Sequence, residues 1–139
     1  MDEFTVIGID PGLGGGFSIM SQTQDGKVSC EVHGVPVIRD KPKTKKAKGK
    51  NDYDVAAIAK ILKPYEGKKV FVCLERVNAM PGQGVTSMFT FGEGFGIWRG
   101  IVGALGFNLK LVTPMTWKSE WADKLLKKVE KSDLVKLNP

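Results

Sequence analysis

Two short apolar segments of the chain each end in a single carboxylate, and this repetition limits the folds that the chain can adopt. Thr5–Ile9 is followed by Asp10, and Lys69–Leu74 is followed by Glu75. Both segments are rich in apolar and β-branched residues, as is typical of strands in the interior of a sheet. After each carboxylate the chain enters a loop that contains proline and glycine. The pattern predicts two central strands with an acid at the end of each.

A predicted helix lies between these two strands and implies that they are parallel. Asn51–Leu62 has apolar residues at helical spacing, with Asn51 or Asp52 as its N-cap. A strand–helix–strand connection places its two strands side by side in one sheet. Adjacent strands lie ~4.8 Å apart, so Asp10 and Glu75 could share one or two divalent ions. The alternative is that Asp10 only initiates an Asp-Pro-Gly turn between two strands.

The remaining predicted elements complete an α/β chain of 139 residues, which is long enough for one domain with its own core. The further strands are Phe17–Met20, Lys27–Val32 with an extension over Val35–Ile38, and Gly106–Thr113, and a last helix runs from Pro114 to about Val129. The glycine-rich turn after Pro11 is expected to close a hairpin between the first two strands.

The segment Arg39–Lys50 predicts contact with a polyanion. Seven of its twelve residues are basic and none is large and apolar, in a chain with a net charge of +6. Such a segment cannot bury itself, so it is expected to form an exposed loop. A plain solvated loop is the alternative, but we favour a loop that follows a nucleic-acid backbone and binds less tightly as salt increases. Its candidate DNA-binding residues are Lys41, Lys43, Lys45, Lys46, Lys48 and Lys50.

The cysteine content and the length of the apolar runs indicate the cellular compartment of the protein. The chain has two cysteines, Cys30 and Cys73, and therefore no disulfide framework, which favours a reducing cytoplasm. We find no signal peptide and no apolar run near the ~20 residues that span a bilayer. We therefore expect a cytoplasmic protein that does not contact a membrane.

Val85–Leu105 is the longest predicted helix and carries two different faces. Apolar residues recur at gaps of three and four to form a seam of Met88, Phe91, Phe95, Trp98, Val102 and Leu105. A second row consists of Gly92, Gly96 and Gly100, with Gly94 and Gly103 beside it. Five interior glycines cost roughly 4–5 kcal/mol relative to alanine. This cost is understandable if another backbone packs closely against the row, either the domain's own sheet or, as we favour, the same helix in a homodimer.

Four motifs carry a resemblance to a known family. GIDPG, CLERV with the following MPGQG, MFTFGEGFGIWRGI and LVTPMTWK resemble RuvC-type Holliday junction resolvases, in particular their phage-like branch. The resemblance covers about Val6–Trp121, and the glycine-rich helix followed by VTPMTWK is its most specific part. It implies a ribonuclease H-like fold with a mixed central sheet flanked by helices.

The resemblance also implies an activity and a set of site residues. The implied protein is a homodimeric crossover junction endodeoxyribonuclease of DNA recombination and repair, which uses Mg²⁺, or Mn²⁺ in its place. Asp10 and Glu75 would be its catalytic metal ligands, in a two-metal hydrolysis. Met80 and Lys118 would contact the branched DNA. The dimer helix would contribute Phe91, Gly92, Phe95, Gly96, Trp98 and Gly100.

One departure from the family pattern leaves other functions open. The family places two more acids on a final helix in a DH-xx-DA motif, which neither Asp123 nor Asp133 fits. We therefore expect a C-terminally truncated domain that lacks this helix. The alternative function is a non-catalytic dimer that binds DNA junctions. A weaker alternative follows from the similarity of GIDPGLGGG to the phosphate-binding hairpin of actin-like ATPases and sugar kinases, a fold that needs a second domain.

Overall fold

The described part of the chain is built on a mixed five-stranded sheet. A computed structural model describes residues 2–39 and 49–126, with the backbone alone for residues 121–126. In chain order the elements are β1 (Phe4–Asp10), β2 (Gly16–Gln22), β3 (Val28–Gly34), β4 (Val37–Arg39), β5 (Asn51–Tyr53), α1 (Val55–Leu62), a short 3-10 helix (Lys63–Tyr65), β6 (Val70–Glu75), α2 (Val85–Ala104), β7 (Asn108–Val112) and α3 (Pro114–Leu126).

The order of strands in the large sheet is β3-β2-β1-β6-β7. β1 pairs antiparallel with β2, and β2 with β3, whereas β1 with β6 and β6 with β7 are parallel pairs. The two apolar segments that end in carboxylates are therefore adjacent parallel strands at the centre of the sheet. This confirms the crossover that was predicted from the helix between them.

α1 and α2 cover one face of the sheet, and the core lies between this face and the two helices. On β1 and β6 every second residue is fully buried, as the alternation of side chains along a strand requires. These residues form one cluster with side chains of both helices. Fully burying an aliphatic side chain stabilises the fold by about 1.5–3 kcal/mol. The most buried members are Ile7, Ile58, Leu62, Leu74, Trp98 and Val102.

The start of α1 differs from the sequence prediction. Asn51 and Asp52 belong to β5, and the helix begins at Val55. Asp54 is the N-cap, and its carboxylate accepts a hydrogen bond from the backbone N–H of Ala57 at 2.9 Å. The predicted cap was wrong because residues 51–53 pair with another strand, so their backbone cannot also form the start of the helix.

That partner strand also corrects the predicted extension of β3. Val37–Arg39 does not continue β3 but forms a separate two-stranded sheet with β5, in which Arg39 is opposite Asn51. The basic segment 39–50 therefore connects the two arms of a hairpin. Of its lysines, Lys50 is described and exposed. The other five lie outside the described residues: Lys41, Lys43, Lys45, Lys46 and Lys48.

The C-terminal predictions are covered only in part. α3 begins at Pro114, as predicted, and its described backbone extends to Leu126. The predicted end of this helix near Val129, the position of Asp133 and the expected lack of a final helix lie outside the described residues. Among the described helices, none combines the length and the apolar character that a bilayer-spanning helix requires.

Candidate active site

Asp10 and Glu75 lie side by side at the carboxyl ends of the two central strands. The register of β1 and β6 pairs Ile9 with Leu74, and the two acids are the next residue on each strand. Paired residues on adjacent parallel strands project from the same side of a sheet, with backbones ~4.8 Å apart. Glu75 also has a neighbour on its other side, because it pairs with Val112 of β7. The structure thus brings together the two acids that the sequence singled out, and their metal-binding role stays a prediction.

The carboxylate of Asp10 takes part in the turn that follows it. Its Oδ1 atom accepts a hydrogen bond from the backbone N–H of Gly12 at 3.2 Å, and the N–H of Gly15 donates to the carbonyl oxygen of Gly12 at 2.9 Å. Asp10 therefore does initiate the turn, which was one of the two interpretations of this residue. No other described residue forms a hydrogen bond with its carboxylate, so the turn leaves one oxygen of an exposed side chain available to a cation.

Gly15 is needed for the position of Asp10 itself. A Cβ atom at Gly15 would lie 2.5 Å from the carbonyl oxygen of Asp10 and 2.8 Å from its Oδ1 atom. Real Cβ atoms essentially never come so close to other atoms, so any side chain here displaces Asp10. Gly14, by contrast, has open space around it. The glycine-rich turn therefore contains one glycine that supports the acid and one that leaves room for a ligand.

The donor set at the strand ends fits a hard divalent cation. Two carboxylates are oxygen ligands of the kind that Mg²⁺ and Mn²⁺ prefer. The half-buried Glu75 carboxylate forms no hydrogen bond or ion pair with any described residue. Residues 2–39 and 49–126 contain no group of three or more His, Cys, Asp or Glu that could hold a metal ion. Among the described residues, Asp10 and Glu75 are therefore the two carboxylates that would hold such a cation.

A cavity of about 660 Å³ opens beside Asp10. One wall is the turn after β1, including Gly12 and Leu13, and the other is the first turns of α2. Phe91 forms part of the second wall, and its ring lies 3.7 Å from the point that a Cβ atom on Gly12 would occupy. Phe91 was predicted from the sequence as a residue of the dimer helix, and the structure also places it next to the candidate catalytic acid.

Tyr53 anchors the turn after β1, and the sequence analysis missed it. Its buried hydroxyl group donates a hydrogen bond to the carbonyl oxygen of Pro11 at 2.9 Å, and its side chain also lines the cavity. Burial raises the pKa of the Tyr53 phenol, and the nearby negative charges of Glu93 and Asp10 raise it further. The phenol therefore remains a neutral donor at physiological pH. Its partner lies 42 residues away in sequence, so no local signal could reveal the contact.

Two of the residues predicted to contact DNA, Met80 and Lys118, are exposed. Met80 is 66% exposed at the start of a turn, where its carbonyl oxygen accepts a hydrogen bond from the N–H of Gln83 at 3.2 Å. Gly82 within this turn has a φ of +83°, a conformation that favours glycine. Lys118 is exposed on α3, with its ammonium group 5.4 Å from the centre of the Trp117 ring. Their contacts with DNA stay a prediction.

The two faces of α2 have different surroundings. Trp98 is fully buried and packs edge-on against Phe17, with ring centroids 5.1 Å apart, so it belongs to the core of its own subunit rather than to an open face. Phe95 is half-buried against the same core. The glycine row is different, because a Cβ atom at any of its members would meet nothing within 4 Å: Gly92, Gly96 and Gly100.

Comparisons with known proteins identify the fold. No protein-family model matches the chain, and no curated protein sequence matches it. Among solved structures, RuvC of Thermus thermophilus in complex with a Holliday junction substrate has a TM-score of 0.50 and 14% identity, over 80% of this chain and 66% of that one. A second T. thermophilus RuvC structure has a TM-score of 0.46 and 14% identity, over 80% of this chain and 64% of that one.

The third structure is the yeast mitochondrial Holliday junction resolvase Ydc2, with a TM-score of 0.44 and 20% identity, over 88% of this chain and 56% of that one. The chain thus spans less than two thirds of the length of each of these proteins. The five-stranded mixed sheet flanked by helices is therefore the ribonuclease H-like fold that the chain shares with RuvC.

Proposed function

We propose that the chain is a metal-dependent endonuclease that cuts branched DNA, with four-way junctions as its substrate. The observation that carries this proposal is the position of Asp10 and Glu75, each directly after the paired residues Ile9 and Leu74 at the ends of adjacent parallel strands. A fold shared with a RuvC that was solved on a Holliday junction supports the choice of substrate. The motifs that resemble the phage-like branch of resolvases support a place within that branch.

The chemistry would be hydrolysis of a phosphodiester bond. A Mg²⁺ or Mn²⁺ ion, when bound, supplies stabilisation of the negative charge on the phosphate and lowers the pKa of a bound water. Asp10 and Glu75 would hold and orient the ion. The Gly12 N–H and the absence of a side chain at Gly15 keep Asp10 in place. Glu75 is fixed differently, because its strand is hydrogen-bonded between β1 and β7.

The remaining surface would bind the DNA and a second subunit. The basic hairpin loop with Lys50 would follow the phosphate backbone, while Met80 and Lys118 would contact the DNA near the branch point. The open glycine row of α2 would meet its copy in a homodimer, which would present two active sites to the two symmetry-related strands of a junction. The two free cysteines, Cys30 and Cys73, fit a cytoplasmic protein.

Cleavage of an immobile four-way junction tests the proposal. We expect nicking in Mg²⁺ by the wild-type protein, loss of nicking in Asp10→Asn and Glu75→Gln, and junction binding by all three. Asp25→Asn is a matched control, since Asp25 is an exposed acid in the turn at the far end of β2. Nicking by the double variant at the wild-type rate would overturn the assignment. Junction binding without nicking in Mg²⁺ or Mn²⁺ would instead support the second candidate, a non-catalytic junction-binding dimer.

A further inference from the structure

The cavity beside Asp10 has the size and the lining of a site for a neutral, planar ligand. Its volume of about 660 Å³ lies within the ~300–1,000 Å³ that is typical of small-molecule sites. Its walls include the apolar side chain of Leu13 and the aromatic rings of Tyr53 and Phe91. Asp10 is the only charged residue among its described lining residues. We propose that this cavity holds an unpaired nucleobase from the DNA strand whose phosphate lies at Asp10 and Glu75.

This inference rests on the proposed function and adds a base-binding subsite to it. The described lining contains no Lys or Arg, and the Asp10 carboxylate would repel a second phosphate, so a charged backbone group does not fit the cavity. A nucleobase does fit, because it is neutral and stacks on aromatic rings. Phe91 can supply such a ring, since it lies at the cavity wall and remains 38% exposed.

The hydroxyl groups at the start of α2 could read the edge of that base. Thr86 and Ser87 line the cavity, and neither hydroxyl forms a hydrogen bond with a described residue. The hydroxyl of Thr90, which also lines the cavity, already donates to the carbonyl oxygen of Thr86 at 3.0 Å. Two residues with unengaged hydroxyl groups therefore line the space next to Phe91, where such groups can donate to or accept from a base.

The position of the cavity connects base binding to the choice of cleavage site. Asp10 belongs both to the strand-end acid pair and to the cavity lining, so a base in the cavity would place its own or the neighbouring phosphate at the acids. Taking a base out of a stack costs least where it is already unpaired. At a branch point the stacking of the duplex is interrupted, so a base leaves the stack there at a lower cost than within a continuous duplex. The subsite would therefore favour cleavage next to an unpaired nucleotide.

The test is a double-mutant cycle, in which one base of the junction and the Phe91 side chain are removed separately and together. Four-way junctions are prepared with a single abasic nucleotide at each successive position around the branch point. Their affinities for wild-type protein, Phe91→Ala and the control Phe89→Ala are measured by fluorescence anisotropy, with Ca²⁺ in place of Mg²⁺. Phe89 is on the same helix, is 70% exposed and does not line the cavity. Sedimentation of each variant reports whether its oligomeric state has changed.

We expect one abasic position to weaken binding by wild-type protein and by Phe89→Ala about 5- to 150-fold, which is the range for loss of one stacked base. The same abasic junction should bind Phe91→Ala no more weakly than the intact junction does. If every abasic position has the same effect on all three proteins, while all bind intact junctions, the subsite is wrong and the proposed function stands. If wild-type protein binds no branched DNA, the proposed function fails and the subsite fails with it.

Discussion

Replacing Gly94 with alanine is expected to detach the Asp10 turn from the helix that supports it. Gly94 is the one buried glycine of α2. A Cβ atom at this position would collide with the Tyr53 hydroxyl group and would lie 2.9 Å from the carbonyl oxygen of Pro11. These are the two groups that share the buried hydrogen bond. The new methyl group therefore cannot be accommodated unless this bond breaks or the turn moves.

The expected change in the free energy of unfolding is the sum of one stabilising and two destabilising contributions. Alanine in place of glycine inside a helix stabilises it by about 1 kcal/mol. Inserting a methyl group into a packed site destabilises the fold by about 1–3 kcal/mol. Leaving the Pro11 carbonyl oxygen without the Tyr53 donor costs about 1–3 kcal/mol more. The free energy of unfolding of Gly94→Ala should therefore fall by about 1–5 kcal/mol.

Urea unfolding followed by circular dichroism measures this change, and Gly103→Ala is the matched control. Gly103 is in the same helix but is exposed, and a Cβ atom there would meet nothing within 4 Å. Its replacement should leave stability unchanged or raise it by up to about 1 kcal/mol. The two variants add the same atoms to the same helix, so their difference isolates the contact with Tyr53. Equal stability of the two variants would refute the contact.

Three further variants and one control test the site and the glycine row of α2. Gly15→Ala should abolish cleavage with junction binding retained, because its methyl group displaces Asp10, whereas Gly14→Ala should cleave normally. Tyr53→Phe should lower the free energy of unfolding by about 1–3 kcal/mol at neutral pH. Since the folded-state pKa of Tyr53 is raised above 10.0, this difference persists below pH 10 and narrows as the pH rises through the folded-state pKa. Gly96→Leu should weaken the proposed homodimer about 5- to 150-fold in sedimentation experiments without unfolding the subunit, and unchanged self-association would contradict an interface at the glycine row.

The strand-end acids were predictable because their signal is local. An apolar run, a carboxylate and a proline-glycine loop are visible within about ten residues, and the handedness and adjacency rules of crossover connections supply the rest. Asp10 and Glu75 therefore could be paired before the fold was known, and the register of β1 and β6 agrees. The composition of the basic segment likewise predicts that it cannot form a core, and this stays a prediction because residues 40–48 lie outside the described part of the chain.

The start of α1 was not predictable, because contacts outside the helix decide which residue caps it. Asn51, Asp52 and Asp54 are all residues that commonly cap helices. Pairing with β4 commits residues 51–53 to a strand and leaves Asp54 as the cap. That pairing joins segments on either side of the basic loop, and neither three-residue segment has enough alternating residues to indicate a strand by itself.

The glycines of α2 also show what the spacing of residues in the sequence can and cannot predict. Their spacing indicated close packing on one face, and the open row of Gly92, Gly96 and Gly100 is compatible with that. The spacing did not distinguish Gly94, whose neighbour Tyr53 comes from the hairpin and not from another helix. Pattern analysis separates the faces of a helix, but only three-dimensional contacts show which residue fills each face.

The contact of Tyr53 also separates two roles of the basic hairpin. β5 ends in the residue that holds the Asp10 turn, while the lysines of the loop precede it in the chain. Replacing those lysines removes charge but not the anchor, so it should weaken junction binding, reduce its salt dependence and leave cleavage of bound junctions unchanged. Tyr53→Phe removes the anchor but no charge, so it should slow cleavage of bound junctions while binding keeps its salt dependence. If both changes lowered only the affinity, the hairpin would act solely as a DNA-binding element and the Tyr53 contact would have no part in positioning Asp10.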